Sequence, residues 1–156
     1  MSIVIIAAMT HLRVIGDTKQ NGMLWHDKNE LEFFKSQTLG KKCIVGRKTA
    51  EQMPILKGRD VYVMTSKKTI PKPDIYQHWD DLPPFFHEAN EDIMIIGGEL
   101  VYKFFMPHAD KAIISTMKNV DVSGDVYMPN FSGRWKQTQH IIYPTFNVDY
   151  FERGGE

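Results

Sequence analysis

Hydrophobic residues enter this chain in short blocks separated by polar, glycine-rich or proline-bearing stretches. Residues 3–9 are apolar throughout, the pattern of a strand covered on both faces. A polar stretch from Gly16 to Gly22, with an Asn-Gly pair, predicts a loop. Over 27–39, Leu31, Phe34 and Thr38 recur at helical spacing and predict an amphipathic helix. A short buried strand is predicted at 43–46, one or two helical turns at 49–53, and strands at 60–65 and 75–79, the last two separated by a loop with two prolines. Residues 80–90 have a helical composition. Pro83 and Pro84 fit only a first turn, so a short helix is predicted there. Residues 93–96 form another apolar block, closed by Gly97-Gly98. Leu100, Val101, Phe104 and Phe105 then mark a helix over 99–106 that stops at Pro107. A strand is predicted at 111–117, and two more within 135–153 around Tyr143-Pro144-Thr145.

Strands alternating with helices predict an α/β fold with helices on both faces of the sheet. The expectation is a central mixed, mostly parallel sheet of about eight strands, flanked by about four helices. The final strand pair predicts an antiparallel C-terminal edge. No repeat or linker interrupts the pattern, so residues 1–156 are expected to form one domain.

Charge and composition exclude several classes of function. The formal net charge is zero, which gives no footing for nucleic acid or an anionic membrane. No apolar run reaches the roughly 20 residues a membrane helix needs, and the N-terminal block lacks a basic leader. Cys43 is the only cysteine, so no intramolecular disulfide forms, which suits a cytoplasmic protein. The six histidines show no metal-ligand spacing, and no metal is expected.

Three strand-to-helix or strand-to-loop junctions carry candidate chemistry. Gly97-Gly98 lets a backbone approach a pyrophosphate, although a plain tight turn explains the pair equally well and no Gly-x-Gly-x-x-Gly fingerprint is present. Gly46-Arg47-Lys48-Thr49 adds two cations and a hydroxyl, and Thr65-Ser66-Lys67-Lys68 adds two of each. In an open parallel sheet all three fall at the carboxyl edge, where ligands bind. Each cation taken singly reads as ordinary solvated surface. Glu30 stands in the first turn of the 27–39 helix. Asp27-x-x-Glu30 has capping-box spacing, so a purely structural role competes with a chemical one. From local physics the reading ends at an α/β domain with a phosphate-bearing ligand.

Taken in order over almost the whole chain, a set of short motifs resembles the dihydrofolate reductases. They are Ile6-Ala7-Ala8, Val14-Ile15-Gly16, Met23-Leu24-Trp25, Glu30-Leu31 with Phe34-Lys35 and Thr38-Leu39, Ile44 to Thr49, Leu56-Lys57-Gly58-Arg59, Ile95 to Gly98 with Val101-Tyr102, and Gly124-Asp125 before Pro129. The resemblance implies NADPH as cofactor, dihydrofolate as substrate and a monomeric enzyme. It implies Glu30 as the active-site acid beside Trp25, with Ser115 hydrogen-bonded to Glu30. Ile6, Ala7, Leu31, Phe34, Ile96 and Tyr102 would line the pterin site, and Arg59 would hold the tail carboxylate. Ala8, Ile15, Gly16 and Met23 would contact the nicotinamide. Gly97, Gly98, Val101 and Tyr102 would line the pyrophosphate and nicotinamide side, with a cis peptide in the Gly-Gly turn. Gly46, Arg47, Lys48, Thr49, Thr65, Ser66 and Lys67 would hold the adenosine phosphates. Glu99 and Ala50 depart from the family pattern, Glu99 by placing a negative charge just after the glycines. Two alternatives remain: a riboflavin-biosynthesis-type pyrimidine reductase on the same fold, and a non-catalytic nucleotide-binding module.

Overall fold

The computed structural model describes residues 2–19, 24–79, 91–130 and 134–154. Its main sheet has eight strands in the order β5-β4-β3-β6-β1-β7-β10-β9. These are β1 (Ile3–Met9), β3 (Lys42–Gly46), β4 (Asp60–Met64), β5 (Gln77–Trp79), β6 (Ile93–Gly97), β7 (Lys111–Met117), β9 (Trp135–Ile142) and β10 (Phe146–Arg153). The six strands from β5 to β7 run parallel, and β10 and β9 add antiparallel to the β7 side. The expected sheet is therefore present, with its antiparallel edge.

Alternation along β1 feeds two cores. Ile3, Ile5 and Ala7 pack on one face with Val101, Tyr102 and Phe105 of α3 (Glu99–Phe105). Val4 and Ile6 pack on the other with Phe33 of α1 (Lys28–Thr38) and Ala50 of α2 (Arg47–Gln52). A strand serving both faces has no polar side, which explains its continuous apolar run. Ala50 has no exposed surface, because α2 lies too close to the sheet for a larger side chain.

Four features differ from the sequence-based expectations. The described residues contain three α-helices rather than about four, and the helix expected over 80–90 lies outside them. On α1 the buried positions are Glu30, Phe33 and Thr38, whereas Leu31 is exposed. Of the expected stripe, Thr38 is buried and Phe34 packs against the core, whereas Leu31 is exposed and an acid takes a position on the buried side. Pro107 does not end the chain's helical course, which tightens into a 3-10 turn over Met106–His108 that the proline tolerates. Finally, β2 (Val14–Gly16) and β8 (Val126–Tyr127) form a separate two-stranded ribbon. Strands of three and two residues are too short to show a period-2 pattern.

Candidate active site

Because β1, β3, β4, β6 and β7 are parallel, their carboxyl ends share one edge of the sheet. Register aligns Gly46 with Met64, Val45 with Gly97 and Ala8 with Ser115. Where β3 and β6 end, the glycines let the side chains of Thr49, Val101 and Tyr102 approach the backbone closely along a seam. A Cβ on Gly98 would lie 2.8 Å from Thr49 Oγ1, and one on Gly46 would lie 3.1 Å from Val101 Cγ2. Gly97 has φ +126°, a conformation L residues rarely adopt, and the Gly97–Gly98 peptide is cis. Helix α2 begins immediately after Gly46, so its first free N–H groups open onto this seam with Thr49.

The acid, Glu30, stands in the first turn of α1. Asp27 is the N-cap of α1 and its Oδ1 accepts from Glu30 N at 3.0 Å. Half of the expected capping box is thus formed. The Glu30 carboxyl does not complete it and makes no hydrogen bond among the described residues. Glu30 is only 5% exposed. Burial, followed by the charge of Asp27, pushes its carboxyl up to about 7. At the seam, Tyr102 is buried and donates its hydroxyl to Ile6 O at 2.9 Å. Burial and then the nearby Glu30 charge push the Tyr102 phenol up. A Cβ on Gly97 would lie 3.4 Å from the Tyr102 hydroxyl. Tyr102 therefore connects the cis turn, β1 and the acid.

Other site residues surround this line. Ile6, Ala7 and Ile96 are buried at the strand ends, and Ala8 is half-buried. Trp25 and Phe34 pack against the α1-side core, and Trp25 Nε1 is buried without a hydrogen-bond partner. Ser115 is buried, and alternation along β7 puts it on the α1 face with Ile113 and Met117. It does not hydrogen-bond Glu30 here: Glu30 sits on α1, and its carboxyl has no hydrogen-bond partner among the described residues. Arg59 follows Gly58, a residue at φ +76° packed against Leu39, and donates to Lys57 O (3.0 Å) and Thr38 Oγ1 (3.2 Å). That anchors Arg59 beside the C-terminal end of α1.

The cationic side is more open. Arg47 Nη1 pairs with Glu51 at 2.5 Å and its Nε donates to Thr69 O at 3.4 Å. Lys48, Ser66 and Lys67 are exposed, while Thr65 Oγ1 accepts from Lys67 N at 3.2 Å. Glu99 lines a separate groove of about 520 Å³ with Arg13, Lys103 and Tyr127, which contains none of the candidate residues. Met23 lies outside the described residues.

Ile15 and Gly16 belong to the β2–β8 ribbon, and Ile15 packs against the α3-side core. Beyond them Asp125 accepts from Thr18 N (2.8 Å) and Thr18 Oγ1 (2.5 Å). A Cβ on Gly124 would fall 2.3 Å from Gly16 O. The sequence motif Gly124-Asp125 pointed to this neighbourhood but not to the Thr18 clasp. The influence of Asp27 on Glu30 was likewise missed, since capping and chemistry had been weighed as alternatives.

Fold and site together define an α/β protein with close-packed glycine junctions where β3 and β6 end and a buried acid at the start of α1. A family model described as dihydrofolate reductase matches residues 2–149. The type 6 dihydrofolate reductase of Proteus mirabilis is 31% identical over 153 residues, covering 96% of this chain and 95% of that protein. The dihydrofolate reductase of Mycoplasma pneumoniae is 28% identical over 156 residues, covering 95% and 96%. Among solved structures, an Enterococcus faecalis dihydrofolate reductase complexed with NADP(H) and RAB-propyl superimposes with a TM-score of 0.84. It has 22% identity and covers 99% of this chain and 97% of that one, which supports the fold. The chain belongs to the dihydrofolate reductase family.

Proposed function

We propose that the chain reduces 7,8-dihydrofolate to 5,6,7,8-tetrahydrofolate with NADPH, by hydride transfer to C6 and protonation at N5. The observation that carries this reading is Glu30: a buried acid in the first turn of α1, with no hydrogen-bond partner among the described residues, raised to about 7. An acid with that pKa is available both to hold an amino-pyrimidine edge and to favour proton delivery at neutral pH.

The residues fit the dinucleotide. The seam at Gly46, Gly97 and Gly98 carries no side chain of its own, and Thr49 with the α2 N-terminus beside it would supply hydroxyl and N–H donors to a pyrophosphate. Arg47, Lys48, Thr65, Ser66 and Lys67 would hold the adenosine phosphates, including the 2′-phosphate. Val101 and Tyr102 would wall the pyrophosphate and nicotinamide side, and Ala8, Ile15, Gly16 and Met23 would contact the nicotinamide. When bound, NADPH supplies the hydride.

The protein's part is to orient and polarise the substrate. Glu30 would bind the pterin amino group and adjacent ring nitrogen. Leu31, Phe34, Ile6, Ala7 and Ile96 would exclude bulk water from the ring. Trp25 Nε1 is a buried donor available to the ligand or a water. Arg59 would pair with the tail carboxylate, already oriented by Thr38 and Lys57. The working unit in this reading is one domain and a monomer, acting in the cytoplasm.

The test is loss of NADPH absorbance on adding dihydrofolate to the purified chain. Stoichiometric loss is expected. No loss, with NADPH still bound, overturns the substrate assignment and favours a different reductase on this fold.

A further inference from the structure

The first turn of α1 holds two carboxyls three residues apart, and only one of them fits a ligand site. Glu30 is buried. Asp27 is half-buried at the helix start, and its Oδ1 is fixed on Glu30 N at 3.0 Å. A single hydrogen bond thus ties the Asp27 carboxylate to the backbone of the acid itself. The Asp27 carboxyl is held below its ordinary value. Burial works against this, but the hydrogen bond from the Glu30 amide, together with the neighbouring Thr145 hydroxyl and Asn29 amide, outweighs it. Asp27 is therefore a permanent negative charge at neutral pH.

No cation among the described residues is paired with either carboxyl. The titratable groups in the core packed against α1 are Cys43 on β3, Tyr76, Tyr143 in the β9–β10 turn and Tyr150 on β10, and Tyr102 of α3, in the core of the other face, also feels the Glu30 charge. Burial pushes the Tyr102 and Tyr150 phenols up and the Cys43 thiol to about 12, so these three are neutral near pH 7. Lys118 Nζ donates to Tyr143 O, and Arg59 is held at Thr38, two turns from Glu30. His26 and Lys28 flank Asp27 in sequence and are exposed. Among the described residues Asp27 makes no ion pair, and its charge acts on Glu30.

We propose that Asp27 is a positioning residue for the reduction. Its carboxylate, fixed to the helix N-terminus one turn before Glu30, opposes ionisation of the acid and keeps it protonated further into the neutral range than burial alone would. Capping and chemistry are then served by one residue: the cap hydrogen bond that starts the helix also fixes the distance between the charges. This inference rests on Glu30 being the active-site acid.

The test uses the full chain with Asp27→Asn and Asp27→Ser, both of which retain an N-cap acceptor and remove the charge. Two readouts are compared. The first is the Glu30 carboxyl titration by carbon-13 NMR, its resonance assigned by its loss in Glu30→Gln. The second is the pH profile of NADPH oxidation with dihydrofolate. Removing the neighbouring negative charge makes ionised Glu30 easier to form, so its midpoint is expected to fall by about half a pH unit. The alkaline limb of the rate profile should move down by the same amount, about a threefold loss of rate above both midpoints. An unmoved midpoint in both variants overturns the proposal. A midpoint that moves without the rate profile overturns the role of Asp27 in the reaction. Absence of NADPH oxidation in the unmodified chain is the separate signature that the dihydrofolate reading has failed.

Discussion

In the first turn of α1, Glu30 is 5% exposed, has no cationic partner among the described residues and is pushed up to about 7. At the ends of β3 and β4, by contrast, Arg47 is already paired with Glu51, and Lys48 and Lys67 stand in solvent. The buried charge is shifted because water cannot compensate it, and each change there is felt in full. The exposed charges are screened, and each contributes little alone. Binding of an anion there is expected to be distributed over several groups, whereas the chemistry is concentrated in one.

The strongest way to break this comparison is Glu30→Gln. It is expected to lower dihydrofolate reduction at pH 7 by about 10²-fold or more while changing NADPH affinity less than twofold. Steady-state rates and a fluorescence titration of NADPH check both halves. The same variant tests the electrostatics through stability. The folded pKa of Glu30, about 7, lies above its ordinary 4.5, so folding favours the protonated form. Its contribution to stability is full below about 4.5 and is lost as pH rises through 7. The Gln variant escapes this loss. It should be more stable than the parent at pH 8 by on the order of 2–3 kcal/mol, with the difference vanishing near pH 4 in urea unfolding.

Next in size is the seam. Gly98→Ala would place a methyl 2.8 Å from Thr49 Oγ1. It should raise the KM for NADPH about tenfold and leave dihydrofolate binding nearly unchanged, as read by separate KM measurements. Arg47→Ala should raise the same KM only about three- to fivefold, and the effect should shrink in 0.5 M salt. An Arg47 effect as large as that of Glu30→Gln on kcat would erase the contrast between the two regions. The smallest expected effect is Asp125→Asn, which weakens the clasp on Thr18 and should lower kcat about twofold.

The sheet was legible because its strands are apolar on both faces. Residues 3–9 and 93–96 could bury so many consecutive hydrophobic groups only in the middle of a layered fold, and β1 and β6 do lie side by side there. The β2–β8 ribbon was not legible, since its two strands are held by Gly124 packing onto Gly16 O rather than by a hydrophobic pattern. On α1, spacing alone marks Leu31, Phe34 and Thr38; Phe34 and Thr38 do pack inward, but Leu31 is exposed, and the fold turns Glu30 inward with Phe33, an acid that the family motif, not periodicity, marks.

By itself the sequence determined the strand and helix alternation, the antiparallel edge and the glycine junctions, because apolar blocks and missing side chains act locally. Only the tertiary structure decided the state of the acid. The Glu30 pKa depends on the water removed around it and on the Asp27 charge held beside it. The link from the cis turn through Tyr102 to Ile6 O joins residues 96 positions apart. Desolvation and long-range contact belong to the packed chain, and no local pattern of residues encodes their magnitude.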